Sequence, residues 1–349
     1  MKRIHPPIWA LSIAAIAIPL IAVAQDFEIV SPPNAWNTTP LGIRNGKVYG
    51  SYQDLTDARI HGFTYSRSEG YVIFEVTDAD PAAGTVAAGV DDTGRIAGYF
   101  TQSPQKTLGY IRQPNGQMRF FDANSRSSAV TSVTGMNGLG FVTGDYRLAG
   151  DPNYWPHGYL RSPVGVIFHI DLPGTAMTYP SDINESGIIT GWYAQTLQSP
   201  ARGFIRQPPV FNFTFDPPAN CSIGDGYFQR LNNLGDLIGT CTRDIYFGSG
   251  YVRWRTGVME RIDFPGASAT TAAGISDDGE IAGTYYYIVG VIGHGYVRAP
   301  NGTFTSFDVP GADPGTTRVV RMDAQGNITG TYFSGDFQDR TFIRYRAPH

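Results

Sequence analysis

The sequence predicts an all-β fold, a seven-bladed β-propeller with four antiparallel strands in each blade. The first observation is composition: of 349 residues, 42 are glycine and 24 are proline, 13% are aromatic and only 16% are charged. This composition is typical of short strands joined by turns, and it differs from that of disordered chains, which are highly charged and poor in aromatic residues. The other two observations are a sevenfold repeat and the division of the last repeat between the two ends of the chain.

The repeat is carried by a motif that reads Gly-x-aliphatic-x-Gly and in six of its copies has an aromatic residue two places later. The leading glycines are spaced 44 to 48 residues apart, at Gly46, Gly94, Gly140, Gly187, Gly235, Gly279 and Gly326. Units of this length with four short strands are typical of propeller blades. Seven copies therefore predict seven blades.

Two further motifs complete each unit. A Gly-aromatic-aliphatic-Arg motif occurs at residues 109–112, 158–161, 203–206, 250–253 and 295–298. An apolar residue followed by an acid comes next, as in Ile170-Asp171, Ile262-Asp263 and Phe307-Asp308. We therefore predict four strands per unit, A to D, in which strand B holds the Gly-x-aliphatic-x-Gly motif, strand C the second motif and strand D the third.

The two ends of the chain together supply one unit. The seventh unit ends soon after Arg344 and lacks a strand D, whereas residues 27–30 resemble a strand D without preceding strands. We predict that this N-terminal strand pairs with the C-terminal blade near residues 342–344 and closes the ring. Closure removes the unpaired strand edges that promote aggregation. An open stack of repeats is the alternative.

The N-terminus has the pattern of a secretory signal peptide: Lys2 and Arg3, an apolar stretch over residues 8–24, and the small-residue site Ala22-Val23-Ala24. An uncleaved membrane anchor is the alternative, because the stretch approaches spanning length. We predict a signal peptide at 1–24 and a single propeller domain at 25–349, secreted or periplasmic, without a membrane span after cleavage. The formal net charge of −4 and the lack of a basic cluster argue against nucleic acid as a partner.

The chain has two cysteines, Cys221 and Cys241. An even number of cysteines in an exported protein predicts one disulfide. Two free buried thiols are the alternative.

The repeat resembles a known family. The segments Asp263-Phe264-Pro265-Gly266-Ala267, Gly279-Glu280-Ile281-Ala282-Gly283 and His294-Gly295-Tyr296 are similar to the bacterial extracellular repeat family called HAF. The resemblance covers nearly all of residues 25–349, although this chain has Gly where the family's name motif has Ala. It implies export and a propeller-like repeat fold, and it implies no established enzymatic activity.

Several histidines and acids recur at one position of the repeat, which favours a structural role. Strand C folded back on strand D would bring together His61 with Glu75, His157 with Asp171, His294 with Asp308, Arg202 with Asp216, and Arg340 with Glu28. Such cross-strand pairs stabilise a sheet by ~0.2–1 kcal/mol each. The closely spaced acids of a calcium loop are lacking, so we predict no metal site, and no cofactor either.

A ligand is expected on the face formed by the B–C and D–A connections, because these connections vary between units and loops on a rigid scaffold commonly carry binding sites. They contain many aromatic residues, Tyr179 among them. The candidate ligand-binding residues are Trp36, Tyr154, Trp155, Tyr246, Tyr286 and Tyr287. Their flat rings with polar edges suit sugars or peptides. Capping of the blade ends is the alternative role.

The predicted function is that of a binding or scaffold module whose unknown partner is a glycan, a cell-envelope polymer or a protein. A carbohydrate-active enzyme, either a lyase or a glycosidase, is one alternative, and a structural matrix component is another. The sequence contains no nucleophile-elbow, zinc-protease or phosphate-loop motif. It does not show whether two carboxylates face each other, as a glycosidase requires. No residue is therefore predicted to be catalytic, and the balance is against an enzyme.

Overall fold

The computed structural model describes residues 26–80, 83–125, 128–196, 198–208, 211–216, 218, 230–242, 248–288, 292–335 and 338–347. Over these ranges all regular elements are strands. None of the described residues belongs to a helix with the length and apolar character needed to span a bilayer. The predicted signal peptide, residues 1–24, lies outside the described residues and stays a prediction.

The strands are numbered in chain order. They are β1 (Asp26–Val30), β2 (Ala35–Arg44), β3 (Lys47–Asp54), β4 (Ile60–Ser66), β5 (Gly70–Phe74), β6 (Thr85–Val90), β7 (Ile96–Ser103), β8 (Lys106–Arg112), β9 (Met118–Phe121), β10 (Ser128–Thr131), β11 (Gly135–Met136), β12 (Val142–Leu148), β13 (His157–Arg161), β14 (Ile167–His169), β15 (Met177–Ile183), β16 (Ile189–Ala194), β17 (Arg202–Gln207), β18 (Phe211–Phe215), β19 (Arg230–Leu231), β20 (Leu237–Thr242), β21 (Gly248–Arg253), β22 (Met259–Ile262), β23 (Ala269–Ile275), β24 (Ile281–Ile288), β25 (Ile292–Arg298), β26 (Phe304–Phe307), β27 (Arg318–Met322), β28 (Ile328–Tyr332) and β29 (Arg340–Tyr345).

Five groups of strands form separate four-stranded blades. Their orders are β2-β3-β4-β5, β15-β16-β17-β18, β19-β20-β21-β22, β23-β24-β25-β26 and β1-β29-β28-β27. The remaining strands, β6 to β14, form one nine-stranded sheet. The prediction of seven separate four-stranded blades is therefore wrong: the protein is a β-propeller with five such blades, and its second and third repeat units share a sheet.

The two units are joined because strand β10 is held against β8. Val130 pairs in parallel with Thr107, and β10 then continues as the antiparallel partner of β12. The Lys106 ammonium donates hydrogen bonds to the Ser128 carbonyl at 2.5 Å and to the Asp122 carboxylate at 2.6 Å. These two hydrogen bonds hold the start of β10 close to the neighbouring unit. The spacing of the repeat does not predict this contact.

The N-terminal strand closes the ring. Strand β1 pairs antiparallel with β29, with Phe27 opposite Arg344 and Val30 opposite Thr341. Val30 is fully buried, and it packs in an apolar cluster that includes Ile343. The predicted pairing of the two chain ends is present, and it gives the last blade its fourth strand.

The first two motifs of the repeat meet at one carbonyl oxygen. In β6, the Val86 carbonyl lies where a Cβ on Gly98 would be only 2.0 Å away, so that position of β7 accepts only glycine. The Tyr110 hydroxyl from β8 donates a hydrogen bond to the same carbonyl at 2.8 Å. Tyr159 and Tyr296 do the same to the carbonyls of Ser132 and Thr271. The Gly and the aromatic residue therefore recur together because they share one acceptor.

The second and third motifs also interlock. A Cβ on Gly109 of β8 would lie 2.3 Å from the ring of Phe121 in β9, so this glycine makes room for the aromatic residue of strand D. The Arg161 guanidinium lies 5.0 Å from the centre of the Phe121 ring. Arg112 lies over Phe74 in the same way. The arginine of one unit thus stacks on the strand D aromatic of the preceding unit, a cation–π contact.

Glu28 makes the closure dependent on pH. Burial alone would raise its pKa, but hydrogen bonds from Tyr65, Tyr345 and Arg67 outweigh burial and lower it. A carboxyl group whose pKa is lower in the folded state stabilises the fold above its ordinary pKa of ~4.3 and loses that effect as the pH falls through the folded value. We expect the Tm advantage of the wild type over Glu28→Gln to be largest near neutral pH and to shrink progressively below about pH 4. Thermal unfolding of both proteins across the pH range measures this difference, and a difference that does not change with pH would contradict the assignment.

Candidate functional site

A cavity of about 470 Å³ lies among the inner strands, which are the first strands of the repeat units. They include β2, β6, β15, β19, β23 and β27. Several of these strands carry β-bulges, which place one extra residue outside the pairing. The extra residues include Leu41 in β2, Ala88 in β6, Ala273 in β23 and Val320 in β27. All four line the cavity. The bulges therefore give it apolar walls.

Two tyrosines add hydroxyl groups to these walls. Tyr99 and Tyr179 line the cavity, and the Tyr179 ring stacks on Trp192 with centroids 5.5 Å apart. Among the described residues neither hydroxyl has a hydrogen-bond partner. Burial raises the pKa of both tyrosines, so they stay neutral and can donate to a ligand.

At one end of the cavity, charged side chains from different inner strands extend across the central channel of the propeller. The Arg321 guanidinium from β27 forms an ion pair with Asp182 in β15 at 2.5 Å. Arg230 from β19 lines the cavity, and its Nη1 donates to the Ser181 carbonyl at 2.9 Å. Both arginines thus bind neighbouring residues of the same strand.

The two guanidinium groups have different electrostatic surroundings. Burial and the nearby positive charge of Arg321 lower the pKa of Arg230 to about 10. Burial would also lower the pKa of Arg321, but the charge of Asp182 outweighs burial and raises it. The charge of Asp182 thus raises the pKa of both guanidinium groups, but it outweighs burial only at Arg321.

A smaller cavity of about 130 Å³ lies beyond these charges and is lined by A–B turn residues, among them Asn45, Asn184 and Asn232. Arg44 joins three of these turns through ion pairs to Asp92 at 2.8 Å and Glu185 at 2.7 Å. The smaller cavity thus lies at the face of the A–B turns, and the larger cavity lies towards the opposite face, that of the B–C and D–A connections.

The structure distributes the predicted aromatic residues over separate sheets. Trp36 in β2 is 43% exposed and borders a depression of about 320 Å³ with Gln53 and Leu55. Tyr154 is exposed beneath the Arg147 guanidinium at 5.6 Å, whereas Trp155 packs against the cluster of Met177, Trp192 and Ala194.

The remaining candidates also differ in exposure. Tyr286 is partly buried, with Arg318 at 5.0 Å over its ring. Tyr287 is exposed, and its ring meets the Tyr285 ring edge-on at 5.4 Å. Tyr246 lies outside the described residues. The aromatic residues are thus not gathered in one sheet, and their role in binding a ligand stays a prediction.

Most of the predicted charge pairs lie within contact distance. His157 Nδ1 is 3.1 Å from Asp171, His294 Nδ1 is 2.8 Å from Asp308, and Arg202 Nε is 2.6 Å from Asp216. His61 Nδ1 is 3.8 Å from Glu75, which is too long for a hydrogen bond. Glu28 forms an ion pair with Arg67 at 2.8 Å, and its predicted pair with Arg340 stays a prediction. Cys241 is fully buried, but Cys221 lies outside the described residues, so the disulfide stays a prediction.

One group of described residues has the donor set of a metal site. The side-chain donor atoms of Asp57, His61 and Glu75 lie within 4.8 Å of one another. Arg59, however, forms an ion pair with Glu75, so a cation would have to displace a guanidinium. The repeat predicts His61 and Glu75 only as a structural pair, and Asp57 is not part of that prediction.

The fold and the cavity together define a β-propeller with a ligand-sized axial cavity. The sequence matches no protein-family model and no curated protein. Its fold is similar to a catalytically inactive virginiamycin B lyase from Staphylococcus aureus with quinupristin, with TM-score 0.58 and 11% identity, covering 92% of this chain and 99% of that chain.

Two other similar structures are longer proteins. A puromycin hydrolase has TM-score 0.60 and 10% identity over 87% of this chain and 52% of its own. A post-proline cleaving enzyme from Rickettsia typhi has TM-score 0.53 and 10% identity over 90% of this chain and 53% of its own. This chain thus spans about half the length of each. At these identities the likeness shows the fold alone.

Proposed function

We propose that this protein is a binding module that holds a small ligand with an apolar body in the axial cavity. The observation that carries the proposal is the cavity itself, with its volume of about 470 Å³. Small-molecule sites are commonly concave spaces of ~300–1,000 Å³, mostly apolar, with a few polar groups that orient the ligand. Here Leu41, Ala273 and Val320 supply apolar walls, and Tyr99 and Arg230 supply polar groups.

The acids near the cavity support binding rather than hydrolysis. A glycosidase needs two carboxyl groups that face its substrate. Asp182 is engaged by Arg321, and Asp145 accepts a hydrogen bond from Ser132 and lies 3.7 Å from Arg147. Both carboxylates are therefore engaged in contacts within the protein.

Filling the cavity is expected to prevent binding. Val320 lies at a bulge, lines the cavity and is partly exposed, so Val320→Trp should place an indole inside it without disturbing the core between sheets. We expect the neutral fluorophore N-phenylnaphthylamine to bind the wild type saturably and to bind Val320→Trp at least about tenfold more weakly, a loss of ~1.4 kcal/mol. Fluorescence titration measures both affinities.

Val164→Trp is the matched control, because Val164 is 89% exposed. It introduces the same side chain at the surface, and its affinity for the fluorophore should equal that of the wild type. Thermal unfolding of all three proteins checks that each is folded. Equal affinity of wild type and Val320→Trp would place the fluorophore elsewhere and overturn the proposal.

A further inference from the structure

We propose that Arg95, Arg119 and Arg161 form a binding site for a tetrahedral oxyanion, a phosphate or sulfate group, between the second and third repeat units. None of these three residues lines the axial cavity, so the inference is independent of the proposed binding function. It is carried by a reversal of charge at one position of the repeat, by the contacts that bring the three arginines together and by the scarcity of acids around them.

Two other pairs of neighbouring units show which contact this position makes. The Arg298 guanidinium in β25 forms an ion pair with Glu260 in β22, the outer strand of the preceding unit. Glu260 lies opposite Val252, the aliphatic residue of the Gly-aromatic-aliphatic-Arg motif. Where the ring closes, Glu28 holds the same position and accepts a hydrogen bond from Tyr65, which replaces the motif arginine in the first unit. In both places a carboxylate on the outer strand binds the strand C residue of the next unit.

The second unit has the opposite charge at this position. Arg119 in β9 lies opposite Ile111, as Glu260 lies opposite Val252. Residues two apart in a strand share a face of the sheet, so Arg119 lies on the face of β9 that carries Phe121. The Arg161 guanidinium of the third unit lies 5.0 Å from the centre of the Phe121 ring. Arg161 therefore meets a second guanidinium on this face instead of a carboxylate.

A third arginine reaches the same place from the A–B turn of the second unit. The Arg95 guanidinium lies against Gly140, where a Cβ would be 2.2 Å from Nη2. Gly140 comes two residues before the residue of β12 that pairs with Arg161. Burial lowers the pKa of Arg161, and the positive charges of Arg95 and Arg119 lower it further. The three guanidinium groups are thus within electrostatic reach of one another.

Acids offset only part of this positive charge. Arg95 forms an ion pair with Asp91 at 2.5 Å. Residues 93–121 and 152–170 contain neither Asp nor Glu, and within the described part of the chain neither Arg119 nor Arg161 forms an ion pair. Arg161 Nη1 donates to the Ser162 carbonyl at 3.2 Å, a neutral acceptor. An anion between Arg119 and Arg161 would replace their repulsion by attraction.

The arrangement suits a group with more than two acceptor oxygens. A guanidinium binds two oxygens of a carboxylate, phosphate or sulfate through parallel hydrogen bonds. One such contact occupies both oxygens of a carboxylate, whereas a phosphate or sulfate group has further oxygens for a second arginine. Arg119 is exposed, so the anionic group can approach from solvent and can belong to a larger molecule.

Thermal unfolding in sodium sulfate and in sodium phosphate, each compared with sodium chloride at equal ionic strength, tests the site. We expect the Tm of the wild type to be higher than in chloride by about 2 °C or more, because an anion that binds only the folded state stabilises it. Arg119→Gln should lose this extra rise. Arg119→Glu supplies to Arg161 the carboxylate that Glu260 supplies to Arg298, so it should exceed the wild-type Tm at low salt and should also lack the extra rise.

Sulfate and phosphate also stabilise proteins in general, because they are excluded from the surface. Arg261→Gln is the matched control for this effect: it removes one positive charge from the outer strand β22, where the exposed Arg261 is paired with Asp263 at 2.7 Å. It should keep the full response of the wild type. The same response in Arg119→Gln, Arg119→Glu and Arg261→Gln would be a general salt effect and would overturn the site, whereas a response to only one of the two anions would support the site and identify its group. Binding in the axial cavity is measured separately with Val320→Trp and does not depend on this outcome.

Discussion

Replacing Gly283 by alanine is expected to cost about 3 kcal/mol or more of unfolding free energy, at the upper end of what overpacking costs. A Cβ at this position of β24 would lie 1.8 Å from the Thr271 carbonyl oxygen and 2.8 Å from the Tyr296 ring. The carbonyl is backbone, so the inner strand β23 would have to shift. The Tyr296 hydroxyl, which donates to the same carbonyl at 2.9 Å, would lose its acceptor geometry. Chemical denaturation of the wild type and of Gly283→Ala measures the difference.

Gly248→Ala is the matched control, because the nearest described neighbour of a Cβ there would be the Cys241 carbonyl oxygen at 3.4 Å. That is an ordinary contact distance, and the variant should unfold within ~0.5 kcal/mol of the wild type, as surface-like substitutions do. If Gly283→Ala were as stable as Gly248→Ala, glycine at this position of the repeat would not be explained by the approach of the inner-strand carbonyl. The same explanation covers Gly98, whose Cβ would lie 2.0 Å from the Val86 carbonyl.

The sequence predicts the strands and their arrangement within a unit because each motif reports a contact inside that unit or with its neighbour. Gly98 and Tyr110 recur because both meet the Val86 carbonyl. Closure by β1 is also predictable, since the last unit lacks a strand that the first residues can supply. The number of separate blades is not predictable in this way. It depends on Val130 pairing with Thr107, which two consecutive units could make or avoid without any change in their period.

The variable loops predict a binding site at their own face and do not reveal the cavity, because the cavity is built from bulges in the inner strands. A signal was nevertheless present in the repeat. Asp182, Arg230 and Arg321 each lie five residues before a leading glycine, at Gly187, Gly235 and Gly326. The corresponding residues of the other units are Leu41, Gly89, Gly135 and Gly274. Charged residues at a position that is otherwise apolar or glycine indicate a polar layer at one depth of the channel.

Deleting residues 26–30 is expected to have an effect of similar size or larger and to change the association state of the protein. Strand β1 supplies the outer partner of β29 in the last blade, and its last residue, Val30, is fully buried. Burying one such side chain contributes about 1.5–3 kcal/mol, before the lost strand pairing and the contacts of Phe27 are counted. Without β1 the edge of β29 is unpaired, and an unpaired edge is a template for pairing with another chain.

The deleted protein should therefore show a lower Tm and form dimers or larger species in size-exclusion chromatography, while the wild type keeps its own elution position. Ile29→Ser is the matched control, because Ile29 is 41% exposed and its backbone pairing with Phe342 does not depend on the side chain. A synthetic peptide of residues 26–30 should restore part of the lost Tm by adding a strand to the open edge. A deletion variant with the Tm and elution of the wild type would mean that the blade formed by β27, β28 and β29 is stable without a fourth strand, and that closure by β1 does not hold the ring together.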